Sequence, residues 1–90
     1  PNCGEAFKPW QQALKFYQQL YDYENEAITL EKLGNAYYCV SDYTKAIQHY
    51  SEALEISKKI NNIPIQIKNN SNLGNIYNIL ANYVEAEKYY

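Results

Sequence analysis

The chain has 90 residues, a net charge of −2, and 47% apolar against 20% charged residues, the balance of one folded domain and not of a disordered segment. Its core is expected to be modest, since a chain this short buries only about 60–65% of its unfolded surface. All eight cations are lysine, so no arginine fork is present for phosphate or guanine, and no run approaches the roughly 18 apolar residues that cross a bilayer; neither nucleic acid nor a membrane is an expected partner.

Helices are predicted near 4–20, 24–40, 43–60, 64–80 and 83–90. The first carries Phe7, Trp10, Leu14 and Tyr17 on one side. The second buries Ala27, Leu30, Leu33, Gly34, Tyr37 and Val40, which follow helical steps. The third does the same with Tyr43, Ala46, Ile47, Tyr50, Ala53, Leu54 and Ser57. Asp42 and Asn82 sit where N-caps belong, and Glu85 is placed to complete a capping box after Asn82. Pro64 suits a first helical turn after the turn-forming "INNIP". The joints at 21–23, 41–42 and 61–63 are short enough to force antiparallel neighbours. No strand pattern competes, so the expected class is all-α.

Sliding the sequence by 40 residues superposes Leu33-Gly34-Asn35 on Leu73-Gly74-Asn75, Tyr37 on Tyr77 and Tyr43 on Tyr83. It also superposes Ala46 on Ala86 and Tyr50 on Tyr90, while Ala6, Trp10 and Ala13 fall on Ala46, Tyr50 and Ala53. The matches are small and aromatic residues at helical spacing. Gly34 and Gly74 are expected where two helices cross closely, each facing an alanine (Ala46, Ala86), and Trp10, Tyr37, Tyr50 and Tyr77 are expected to fill the wedges between helices.

Leu33, Gly34, Tyr37, Ala46, Tyr50 and Ala53 resemble the tetratricopeptide repeat, and Leu73, Gly74, Tyr77, Ala86 and Tyr90 begin a second copy of the same pattern. The 40-residue period resembles the long-repeat branch that includes kinesin light chain and the Leu-Gly-Asn adaptor proteins; the proline that often closes a unit is absent, with Lys58 near its place. The resemblance implies antiparallel helix hairpins stacked as a right-handed superhelix. Within it, 1–22 is the second helix of a preceding unit, 23–62 a complete unit and 63–90 a following unit cut short. The chain is therefore expected to be a piece of a longer protein, with apolar surface at its end helices available for self-association.

The resemblance further implies a scaffold whose concave face holds an extended segment of a partner protein, the alternative being a structural spacer or self-association element with no peptide ligand of its own. Asn35 and Asn75 are the residues expected to grip its backbone, because an amide offers donor and acceptor together. Glu31, Tyr38 and Cys39 are expected beside Asn35, and Lys68, Ser71, Asn78 and Ile79 beside Asn75. Family members that hold a C-terminal carboxylate place Lys or Arg one turn before the Asn, where this chain has Glu31 and Ser71, so an internal segment is the expected ligand. His49 has no second ligand at metal spacing and is expected to face solvent. Cys39 has no base companion, and the isolated glycines make no phosphate cradle, so no enzyme activity, metal or cofactor is expected. Cys3 and Cys39 are too few for a disulfide framework and suit reduced thiols in the cytoplasm. The carboxylates, Glu31 among them, read as solvated faces, with Glu55 paired to Lys59.

Overall fold

The computed structural model describes residues 3–88, with side chains followed as far as Val84. A short 3-10 turn, Cys3–Ala6, leads into four helices: α1 (Phe7–Gln19), α2 (Tyr23–Cys39), α3 (Tyr43–Lys59) and α4 (Ile63–Lys88). Each packs on its neighbour in sequence, and α2 and α4 also meet beside α3, so these two line one side of the array. No strand occurs among the described residues.

One turn, used three times, sets this arrangement. Tyr21, Ser41 and Asn61 have φ of 55°, 63° and 56°, the left-handed conformation that ends a helix. The next residue then closes the turn: Asp22 N–H donates to Tyr17 O, Asp42 N–H to Tyr37 O, and Asn62 N–H to Ser57 O, at 3.0, 2.9 and 2.8 Å. That same residue caps the following helix. Asp22 accepts from Asn25 N–H, Asp42 from Lys45 N–H and Asn62 from Ile65 N–H. Ending one helix and starting the next with two adjacent residues forces the antiparallel hairpins expected from the sequence.

The fourth such turn does not form. Separate helices at 64–80 and 83–90 were the expectation, whereas α4 runs unbroken from Ile63 to Lys88. The position equivalent to Tyr21, Ser41 and Asn61 is Ala81, the strongest helix former, and a left-handed alanine costs about 1–2 kcal/mol. Tyr83 of the continued helix stands near Tyr43 at the start of α3, and that neighbouring phenol raises its pKa. Asn82 is consequently interior to a helix instead of capping one. The side chains of Glu85, Ala86 and Tyr90 lie outside the described residues, and with them the capping box and the second Ala–Tyr pair.

Two buried clusters hold the helices together. Ala27 and Leu30 pack with Ala53, flanked by Leu14, Ile56 and Ile65. Ala46 and Tyr50 pack with Ile76, flanked by Tyr37, Leu73 and Leu80. Gly34 is buried as expected, and the ring of Tyr50 lies nearest to it. A Cβ there would lie 2.6 Å from two carbons of that ring. Gly74 departs from expectation: a Cβ would meet nothing within 4 Å, and Tyr77 is 55% exposed. With α4 continuing past Ala81, no helix among the described residues returns to cover them.

Cys3 and Cys39 are joined in a disulfide, their Cα atoms 6.1 Å apart, which corrects the expectation of two reduced thiols and removes its argument for a reducing compartment. The staple fixes the N-terminal turn to the end of α2. Glu55 pairs with Lys58 at 3.7 Å in place of Lys59. His49 is half-buried instead of facing solvent. Its Nδ1 lies 2.8 Å from Lys45 O and its ring stacks at a tilt, 4.9 Å from Tyr37.

Candidate functional site

The side on which α2 and α4 meet carries a concavity of 160 Å³ lined by Asn35 and Tyr38 from α2, Tyr50 from α3, and Asn72 and Asn75 from α4. Asn35 follows the glycine buried by Tyr50, and the roughly 100° turn per residue swings it off the helix–helix contact toward this face. Its amide is already engaged at both ends. Tyr50 Oη donates to Asn35 Oδ1 at 2.5 Å, and Asn35 Nδ2 donates to Glu31 Oε2. Asn35 thus links the packing of α3 to the charge network of α2.

That network corrects the reading of Glu31 as a solvated carboxylate. Glu31 is only 3% exposed. Lys68 reaches across from α4 to within 3.1 Å of its Oε1, and Lys32 lies at 3.8 Å. Tyr50, 2% exposed, has its phenol pushed up to about 12, first by burial, then by the negative charge of Glu31 and the neighbouring Tyr38. The hydroxyl therefore stays protonated and remains the donor to Asn35 across the physiological range.

A second concavity of 240 Å³ adjoins the Glu31–Lys68 pair, with Ile28, Pro64 and Ile65 giving it mainly apolar walls. At its base Asn69 is fully buried; its Nδ2 donates to Ile65 O, while its Oδ1 has no partner. In the first concavity Asn72 Nδ2 is likewise buried without a hydrogen bond.

The structure brings Asn35, Tyr38 and Asn75 to one concavity and Glu31 and Lys68 to the other. Ser71 and Asn78 are exposed on α4 but line neither, and Ile79 is half-buried. Cys39 offers no thiol, being bonded to Cys3. Two residues of the site were missed from the sequence. Tyr50 was read only as packing, although its hydroxyl reaches the concave face. Asn72 stands three residues before Asn75, a helical spacing that already puts both amides on one face.

Among the described residues no group of His, Cys, Asp or Glu side chains assembles to hold a metal, and no helix is long and apolar enough to cross a membrane. The tetratricopeptide repeat family matches residues 2–59, and the chain belongs to that family. Repeats of this family mediate protein–protein interaction and are typically non-catalytic scaffolds. Neither a curated protein nor a solved structure matches the chain.

Proposed function

We propose that this chain is a non-catalytic interaction scaffold of the 40-residue repeat type, whose concave face receives an extended internal segment of a partner protein. The observation that carries the reading is the concavity where three asparagines and two tyrosines from three helices converge. Amides and phenols supply donors and acceptors without net charge, which suits a peptide group whatever its side chain. Glu31 is offset by Lys68 and Lys32, so the adjoining surface selects neither a carboxylate terminus nor a basic run. The apolar walls beside it suit one uncharged side chain of the same segment. On this reading Asn72 and Asn75 contact the peptide backbone. Asn72 Nδ2 makes no hydrogen bond in the free protein, and an unpaired buried donor costs about 1–3 kcal/mol that a peptide carbonyl, met by rotation of the amide, would recover.

The test is selection from a random peptide display library on the wild-type chain, followed by binding measurements on Asn72→Ala combined with Asn75→Ala. Binding at least about tenfold weaker, about 1.4 kcal/mol, is expected. The doubly substituted protein is expected to melt no lower than the wild type, since the change also removes the unpaired buried donor. Equal affinity for the selected peptides would exclude this face. Asn35 is left intact in that test because its amide also supports Tyr50 and Glu31.

A further inference from the structure

Asn35 and Asn69 hold the same half of one hydrogen-bond pattern. Asn35 Nδ2 donates four residues back, to Glu31, and its Oδ1 accepts from the Tyr50 hydroxyl. Asn69 Nδ2 also donates four residues back, to Ile65 O at 3.0 Å, but its Oδ1 accepts from nothing. Asn69 is fully buried, so water does not supply the missing donor, and a buried acceptor left unpaired is costly. What Asn69 lacks is the group that Tyr50 gives Asn35.

The place for that group is the second concavity. Asn69 lines it together with Ile28 of α2 and with Pro64 and Ile65 of α4, and Lys32 and Lys68 add its charged side. Its 240 Å³ falls below the roughly 300–1,000 Å³ of small-molecule sites and suits a single side chain. Both walls belong to described helices. Ile65 stands nine residues before Gly74, about half a turn round α4 from that open glycine. A helix laid against Gly74 would therefore leave the concavity as it is.

We propose that this concavity takes a tyrosine side chain of the partner segment. Its ring lies against Ile28, Pro64 and Ile65, and its hydroxyl donates to Asn69 Oδ1 after a small turn of the amide. The inference rests on the peptide reading of this face and names the residue the segment brings. Leucine or phenylalanine would fill the apolar walls yet leave Oδ1 unpaired. A phenol can accept as well as donate, and the ammonium groups of Lys32 and Lys68 have donors to spare beyond Glu31, whereas an indole N–H only donates. The two lysines also favour an aromatic ring over an aliphatic group. Along the groove the concavities lie one helical turn apart, Glu31 preceding Asn35 and Lys68 preceding Asn72. Four helical residues rise about 6 Å, and an extended peptide covers ~3.3 Å per residue. The tyrosine thus falls about two residues from the peptide group that Asn72 meets.

The experiment is display selection on the wild-type chain, read by sequencing and followed by binding of synthetic peptides. The selected peptides are expected to share a tyrosine at one position. Phenylalanine in its place is expected to weaken binding to the wild type about tenfold, and to change binding to Asn69→Leu by no more than about twofold. Asn69→Leu is expected to melt no lower than the wild type, since it removes the unpaired acceptor. The peptide comparisons do not depend on that variant. Selected peptides that need Asn72 and Asn75 but carry leucine, phenylalanine or tryptophan at that place as often as tyrosine overturn this inference alone. So does a phenylalanine peptide that binds the wild type undiminished. Failure to select any peptide overturns the peptide reading and this inference with it.

Discussion

Replacing each packing glycine with alanine separates two environments that the sequence makes look alike. At Gly34 the new methyl would stand 2.6 Å from Tyr50 Cδ1 and Cε1 and 3.1 Å from Cζ, well inside contact distance. The ring cannot swing clear, because it is 2% exposed and its hydroxyl is held by Asn35. Overpacking of this kind costs about 1–3 kcal/mol, and loss of the Tyr50–Asn35 hydrogen bond adds about 1 kcal/mol. The gain in helix propensity offsets about 1 kcal/mol of this, leaving Gly34→Ala destabilised by about 1–3 kcal/mol. At Gly74 only the propensity acts, because nothing lies within 4 Å, so Gly74→Ala gains up to about 1 kcal/mol. Urea unfolding of dilute chains, followed by circular dichroism, reads both. In a domain this small each kcal/mol moves the melting temperature by about 4–8 °C. Shifts of the same sign in the two variants would refute the reasoning.

Three further outcomes follow from particular contacts. Tyr50 has a folded pKa of about 12 against 10.0 for the free phenol, so its stabilising contribution is complete below pH 10 and is lost as pH rises through 12. In Tyr50→Phe the alkaline fall in stability over that window should be smaller, as read by tyrosinate absorbance and circular dichroism together. Lys68→Met leaves the buried Glu31 with only the more distant Lys32, and should lower stability by about 1–2 kcal/mol in urea; Glu31→Gln made alongside it should recover part of that loss. Cys3→Ser with Cys39→Ser opens a link spanning 36 residues and should cost about 2–4 kcal/mol in non-reducing denaturation, a gap that vanishes when both proteins are fully reduced.

The hairpin plan was legible because its signals are local. Asp22, Asp42 and Asn62 announce their turns with caps that act on residues three positions away. The same logic misled at Asn82, where a good capping side chain follows Ala81. A cap cannot act unless the residue before it leaves the helix, and alanine there favours staying in it. Helical spacing also showed which face Gly34 turns inward, but not which residue meets it. The antiparallel register sets that, and the ring of Tyr50 lies nearest to Gly34. The burial of Glu31 was not readable, because its nearest cation, Lys68, belongs to another helix. Asn35 and Asn75 line one concavity. The hydrogen bond that engages Asn35 depends on a tyrosine 15 positions away, beyond the reach of a single helix's periodicity.

The central claim is that the asparagine-lined face between α2 and α4 is where a partner segment lies. Its most direct measurement is an isotope-edited NMR titration of the wild-type chain with a peptide obtained by display selection. Side-chain amide resonances of Asn72 and Asn75 are expected to move together in proportion to bound peptide, with the Tyr77 and Val84 signals changing little. Peptide saturation that leaves both amides in place, while shifting residues elsewhere, would contradict the account.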